Sequence, residues 1–296
     1  MPAHDMPQAE VAIDADLVGD LLAEQHPDLR ALPLVELTSG WDNVIYRLSD
    51  DLVVRLPRRA ASAALVAHEQ RWLPQLAPAL PLPIPAPVRT GRPGCGYPWS
   101  WSICPWLAGE IAAVEPPAEL IDAAATLGRF LSALHRPAPE DAPANPYRGV
   151  PLATRTPSVE QRVAQMGGVI DGPAVLECWH DLVATPAWAG PPQWLHGDLH
   201  PLNLLVDRGR LSAVIDFGDI TAGDPATDLA VAWMLFPPEI RPRFRAAAGN
   251  VDDNTWRRAR GWALALGLAY LAGSADNPTL ERVGFHTVQA ALADSA

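Results

Sequence analysis

Cysteine is scarce in this chain. Its 296 residues hold three, Cys95, Cys104 and Cys178. An odd, scattered set with no CxxC spacing excludes a disulfide framework and offers no zinc-ligand pattern. Long apolar runs are missing as well. The longest weakly polar stretch, Gly261 to Ala275, is too short to cross a bilayer and reads as a buried helix. Met1 to Asp16 is acidic and polar, without the basic-then-apolar order of a secretory leader. A reducing cytoplasm is therefore the expected compartment. Positive charge is in deficit: Asp and Glu number 34 against 22 Lys and Arg, a formal net charge of -12. Nucleic acids bind through clustered positive charge, so they are not expected as partners. An acidic surface suits a cationic small substrate, or serves solubility alone.

Apolar material is ample. Hydrophobic residues make up 49% and charged residues 19%, enough to core one large domain or two modest ones. Proline is abundant, and the loops Leu80 to Pro87 and Pro137 to Pro146 interleave it with apolar residues, the composition of rigid connectors. Helical spacing of Val11, Leu17, Leu21 and Leu22 predicts an amphipathic helix over 11–25. A β meander follows. Val35 to Leu37, Asn43 to Leu48 and Leu52 to Leu56 read as strands, separated by turns at Ser39-Gly40 and Ser49 to Asp51. Ala60 to Leu76 reads as a helix. Val88-Arg89 and Tyr97 to Trp106 read as two more strands around the Gly/Pro turn Gly91 to Gly96. Beyond Ala108 the pattern becomes helical: Ala118 to His135, then much of 157–184 and 226–296. Two short strands, Leu204 to Val206 and Leu211 to Ile215, interrupt it. The expected architecture is α+β and two-lobed, with a β-rich N-terminal lobe over 1–107 and a mainly helical lobe over 108–296.

The segment Trp194 to Phe236 carries the chemistry. His196-Gly197-Asp198 is followed by Asn203, giving D-x-x-x-x-N. An apolar strand then ends in Asp216-Phe217-Gly218. Gly223-Asp224-Pro225 leads to Asp228 at the start of an apolar helix. Phosphoryl transfer accounts for this set. An acceptor hydroxyl must be oriented and relieved of its proton, which a carboxylate such as Asp198 does. The triphosphate must be offset by a divalent metal on oxygen ligands, and Asn203 and Asp216 are of that kind. The same parts define the protein-kinase site: a catalytic-loop Asp, an Asn five positions on, and a DFG Asp.

These motifs resemble the aminoglycoside/macrolide phosphotransferase family, small-molecule kinases related to protein kinases. HGDLHPLN, IDFGD and GDPATDLA match that family's pattern. The resemblance implies Asp198 as the catalytic base and Asn203 and Asp216 as ligands of Mg2+. It implies Asp228 and His196 as supports of the catalytic loop, and ATP or GTP as co-substrate. In the N-terminal part it implies that Ser39, Gly40 and Asn43 in the first hairpin cover the nucleotide phosphates. Arg55 takes the place of the usual phosphate-gripping Lys, with Glu69 as its ion-pair partner. Ile103, Pro105 and Trp106 form the hinge against the base, before the L-x-G-E match Leu107 to Glu110. The resemblance spans about 34 to 236. Two departures stand out: Arg55 is not Lys, and its planar fork differs from an ammonium; and the first hairpin has a single glycine.

The implied acceptor is a small hydroxyl-bearing molecule, either an antibiotic (aminoglycoside, macrolide or another natural product) or a metabolite such as a sugar, amino alcohol or amino acid. A catalytically silent nucleotide-binding protein is the alternative of another class, opposed by the intact Asp198, Asn203 and Asp216. A zinc hydrolase built on His196, Asp198 and His200 would leave Asn203 without a role. His200 reads as a loop-packing or substrate-side residue. Asp219 and Asp224 either face the acceptor or cap turns, and Glu239 either binds the acceptor or belongs to a solvated face.

Overall fold

The computed structural model describes residues 8–274 and 277–294. Met1 to Pro7 of the acidic start and Ala275 at the end of the apolar stretch lie outside them. Helix α1 (Ala15–Gln25) begins later than the apolar spacing predicts. The Asp14 side chain accepts from the Leu17 N–H at 2.9 Å and caps the first turn there, leaving Val11 outside the helix. The meander follows as β1 (Leu34–Ser39), β2 (Asn43–Leu48) and β3 (Leu52–Pro57). Strand β2 alternates as its sequence does, with Val44, Tyr46 and Leu48 inward. Helix α2 (Ala60–Leu76) matches its predicted span. Strands β4 (Arg89–Gly91) and β5 (Trp101–Pro105) complete an antiparallel sheet in the order β1-β2-β3-β5-β4.

After β5 come the short strand β6 (Glu110–Ile111) and helix α3 (Leu120–Leu134). The helical stretch predicted over 157–184 is broken. Helices α4 (Thr156–Gln165) and α5 (Gly172–Val183) flank a turn in which Gly168 takes a left-handed φ of +85°. Then β7 (Gln193–Leu195), β8 (Leu204–Asp207), β9 (Arg210–Val214) and β10 (Thr221–Gly223) frame the motif segment. Helices α6 (Ala226–Leu229), α7 (Val231–Leu235), α8 (Arg241–Ala247), α9 (Asp253–Gly273) and α10 (Pro278–Ala293) close the chain. The architecture is thus α+β, an N-terminal antiparallel sheet followed by a mainly helical part.

Two apolar cores form. One joins α1 to the inner face of the sheet through residues such as Val18, Leu21, Tyr46, Leu56 and Trp101. The larger one is built from α3, α9, α10 and the motif strands, and it also takes Trp72, Leu73 and Leu76 from the end of α2 and Leu82 and Ile84 from the connector. Helix α2 therefore touches the sheet with one half and the helical part with the other. No helix among the described residues is long and apolar enough to cross a membrane.

Candidate active site

Two hairpin-like pairings bring the motif residues together. Strand β8 pairs with β9, with Leu204 opposite Val214. Just beyond that register the Ile215 N–H donates to the Asn203 carbonyl at 2.9 Å. Asn203 and Asp216 are therefore neighbours at the open end of one hairpin. Strand β7 pairs with β10, with Leu195 opposite Thr221, which lays His196 to Asp198 beside Asp216 to Ile220. The approach is close. Gly197 has φ +89°, and a Cβ on it would sit 2.2 Å from the Asp219 carbonyl oxygen, so only glycine fits there.

The loop is tied from beneath. Asp228, fully buried, accepts from the His196 N–H at 2.8 Å and the Gly197 N–H at 2.9 Å, and its Oδ2 lies 3.1 Å from His135 Nε2. A buried carboxylate must be met by donors in this way. His196 is also fully buried. Its Nδ1 accepts from the Asp198 N–H at 3.2 Å and its Nε2 meets the Ile215 carbonyl at 2.8 Å. One imidazole thus bridges the Asp198 loop to the strand carrying Asp216. Both ring nitrogens are engaged, so His196 is not free to bind zinc as the hydrolase alternative requires.

Asp198 sits at the centre, with a quarter of its side chain exposed. Its Oδ1 accepts from Arg148 Nη2 at 2.9 Å and from the Tyr270 hydroxyl at 3.2 Å, and its Oδ2 lies 3.3 Å from His200 Nε2. Burial would push this carboxyl up. His200, Arg148 and His196 outweigh it and hold it well below the usual carboxylate range. His200 is a buried loop residue: its Nδ1 accepts from the Leu202 N–H at 3.2 Å, and its ring meets Tyr270 edge-on. Asn203 Nδ2 donates to the Asp198 carbonyl at 2.9 Å, which leaves its side-chain oxygen as a ligand. Asp216 is exposed, adopts a left-handed φ of +62°, and makes no side-chain hydrogen bond among the described residues. Such strain in a non-glycine residue is concentrated at functional sites. An amide oxygen and an unpartnered carboxylate on one cleft wall fit a hard divalent cation such as Mg2+.

That cleft has a volume of about 320 Å3. It is lined by Gly40, Trp41 and Asp42 from the β1–β2 turn, Asn43 at the start of β2, Arg55 from β3, Pro105 to Leu107 at the end of β5 and just past it, and Asn203, Ile215 and Asp216 below. Asn43 Oδ1 is buried there without a partner among the described residues. Ser39 ends β1 opposite Val44. Arg55 lies 3.2 Å from Glu69 Oε1 of α2, both largely buried. The chain contains no lysine anywhere, so arginine is the only fixed cation available. Burial opposes the Arg55 charge, but Glu69 and Cys104 hold it raised above its ordinary range. Burial pushes Glu69 up, with Arg55 offsetting part of the effect.

Several expected site residues lie elsewhere. Ile103 is fully buried in the core of the sheet and its carbonyl is taken by the Val88 N–H at 2.8 Å; alternation along β5 turns it away from the cleft. Trp106 does reach the cleft, with the Arg47 guanidinium 3.7 Å over its ring. Asp224 does not face an acceptor. It is buried and paired with Arg258 through Nε to Oδ2 at 2.7 Å, and it caps the Ala226 N–H at 3.1 Å. Glu239 is exposed in the turn before α8, where its charge acts on Arg241 and not on the Asp198 group. Asp219 stays near the centre. Its Oδ1 accepts from Asn145 Nδ2 at 2.7 Å, and burial, then the Asp198 charge, push it up against the pull of Arg148. Arg148, Tyr270, Asn145, His135 and Trp41 belong to the site and have no motif of their own. Arg148 is a single charge after a proline-rich connector, and Tyr270 a lone phenol on an apolar helix.

A carboxylate held ionised beside a largely apolar cleft with an amide and a carboxylate at its floor, under the Gly40 to Asn43 turn, is the arrangement of a protein-kinase-like phosphotransferase. The model of the phosphotransferase enzyme family matches residues 33–262. Among solved structures, the GDP complex of aminoglycoside 2'-phosphotransferase-IIIa superposes with a TM-score of 0.70 at 20% identity, covering 95% of this chain and 99% of that one. Macrolide 2'-phosphotransferase MphH from Brachybacterium faecium superposes with a TM-score of 0.62 at 25% identity, covering 96% and 99%. The uncharacterized protein YcbJ of Bacillus subtilis (strain 168) is 29% identical over 84 residues, 28% of each chain. The chain belongs to the phosphotransferase enzyme family, whose members pass a phosphoryl group to a hydroxyl acceptor.

Proposed function

We propose that this protein transfers the γ-phosphoryl group of ATP or GTP to a hydroxyl of a small molecule, with residues 1–107 as the nucleotide-binding lobe and 108–296 as the catalytic and substrate-binding lobe. The observation that carries this reading is the meeting of the Asp198 to Asn203 loop with Asp216 from the next hairpin: Asn203 and Asp216 line the cleft floor, and Asn203 is tied to the Asp198 carbonyl beside it. Asp198 accepts a hydrogen bond from the acceptor hydroxyl and takes its proton. The acceptor oxygen forms its bond to the γ-phosphorus as the bond to the bridging oxygen of the leaving diphosphate breaks. With its pKa held low, Asp198 is a weak base, so it acts chiefly by orienting the hydroxyl and takes the proton late. Arg148 and Tyr270 fix its carboxylate plane. Arg55, set by Glu69, grips the non-transferred phosphates, and the Gly40 to Asn43 turn covers them. Mg2+, when bound, supplies charge neutralisation for the phosphates, and Asn203 and Asp216 would hold it. The cytoplasm, where nucleoside triphosphates are kept, is the compartment this chemistry implies.

For the acceptor, an antibiotic of the classes bound by the structural neighbours is the first reading, with resistance by modification as its biological sense. A metabolite acceptor is the second. The test of the reaction is Asp198→Ala. Turnover, followed as acceptor-dependent release of ADP or GDP, should fall by about two to four orders of magnitude. Nucleotide Kd should change by no more than a few-fold. Near-normal turnover in this variant would refute the role of Asp198.

A further inference from the structure

Three arginines, Arg148, Arg155 and Arg162, gather near Asp198 in a protein whose net charge is -12. Arg148 donates to Asp198 Oδ1 at 2.9 Å, while its Nε is buried without a partner among the described residues. Arg155 stands at the N-cap of α4, and Arg162 follows seven residues on, two turns along the same helical face. Both are half-buried. Arg155 lies 5.6 Å over the Tyr147 ring, which brings it back to the Arg148 loop. Neither Arg155 nor Arg162 has a carboxylate partner among the described residues. By contrast, Arg210, Arg257 and Arg258 each sit on an aspartate. The three charges repel. Burial, then Arg148, hold the Arg155 guanidinium below its ordinary range; burial, then Arg155 and Arg148, do the same to Arg162.

Such a cluster opposes folding twice over. Arg148 is met by Asp198, but Arg155 and Arg162 are half-buried cations without a carboxylate partner among the described residues, which is costly, and Arg155 sits at the helix end where the dipole disfavours a cation. None of the three lines the nucleotide cleft, so that cleft does not supply their counter-ion. We propose that Arg148, Arg155 and Arg162 form an anion subsite for the phosphoryl acceptor, so that the acceptor carries a carboxylate or phosphate group beside its hydroxyl. The inference rests on the phosphotransferase reading and names the substrate class of the same site. Guanidinium forks bind planar carboxylates and phosphates bidentately, and the same forks repel a polycation. Anchoring on Arg155 and Arg162 would hold the acceptor hydroxyl toward Asp198. The surplus of acidic residues over the whole surface therefore says little about the acceptor, because Arg155 and Arg162 stand near the site without a carboxylate partner among the described residues.

The test is an acceptor panel matched except for charge. Glycerol is compared with glycerate and glycerol phosphate, glucose with glucuronate, and kanamycin serves as the polycation. Acceptor-dependent ADP or GDP release should favour the anionic member of each set, and the carboxylate and phosphate arms separate the two sources of charge. Arg155→Ala combined with Arg162→Ala should raise KM for that member by about ten- to hundredfold, the loss expected for hydrogen bonds to a charged group. The effect should fall on KM more than on kcat. Arg208→Ala, on an exposed turn, is the control. Preference for glycerol, glucose or kanamycin, or an unchanged KM in the double variant, overturns the proposal. If no member is turned over, binding of inorganic sulfate to the ADP-loaded enzyme decides. Saturable binding lost in the double variant supports the subsite, and absent or undiminished binding overturns it. Failure of the wild-type protein to bind ATP or GTP would instead count against the phosphotransferase reading itself.

Discussion

Asp224 offers a sharp separation between a structural and an acceptor-binding carboxylate. Its two oxygens meet Arg258 Nε at 2.7 Å and Nη2 at 3.2 Å, and both side chains are nearly inaccessible. Arg258 spends its other donors on the Pro186 carbonyl at 2.9 Å and Thr255 Oγ1 at 3.0 Å. Asp224→Ala would leave that guanidinium buried with no counter-charge. Removing one partner of such a pair costs about 3–5 kcal/mol. At about 2–4 °C per kcal/mol for a chain near this size, Tm should fall by about 6–20 °C. Combining Asp224→Ala with Arg258→Met removes the orphaned charge and should recover a large part of the loss. Thermal unfolding followed by circular dichroism gives the four Tm values of the cycle, and acceptor KM is measured well below the transition. A variant that keeps its Tm within a degree or two while acceptor KM rises would refute the reasoning. It would return Asp224 to the acceptor surface.

Gly197→Ala should abolish most turnover while the far-ultraviolet spectrum stays native, because the added Cβ meets the Asp219 carbonyl oxygen at 2.2 Å and the φ of +89° disfavours any side chain; wild-type kcat would contradict this. Arg148→Ala removes a positive neighbour that lowers the Asp198 pKa. The carboxyl should therefore titrate at higher pH, and the acid limb of the kcat–pH profile should move upward, since activity needs the ionised form. An acid limb that stays in place or moves down would show that Arg148 does not act on Asp198.

Much of the fold was legible locally. The meander from Leu34 to Pro57 and helix α2 follow from β-branched and aromatic runs bounded by turn residues and from an apolar stripe that ends near a proline-rich connector. Strands β6, β7 and β10 were not legible, since two or three residues carry no period and are strands only because a partner lies beside them. The break between α4 and α5 depends on the Gly167-Gly168 turn, which an apolar count over 157–184 averages away.

The site divides in the same manner. Asp198, Asn203, Asp216, His196 and Asp228 stand close in sequence, and their residue types and spacing by themselves mark out one candidate site segment. Arg148 and Tyr270 come from points 50 and 72 residues away from Asp198 and acquire meaning only when the chain closes on itself. Asp219 and Asp224, alike in sequence, part company in three dimensions: one meets Asn145 near the centre, and the other is buried on Arg258. Sequence determines which groups are present and how neighbours along the chain are spaced. Burial, charge pairing and the sign of the local field arise from what lies across space, and only the tertiary structure decided them.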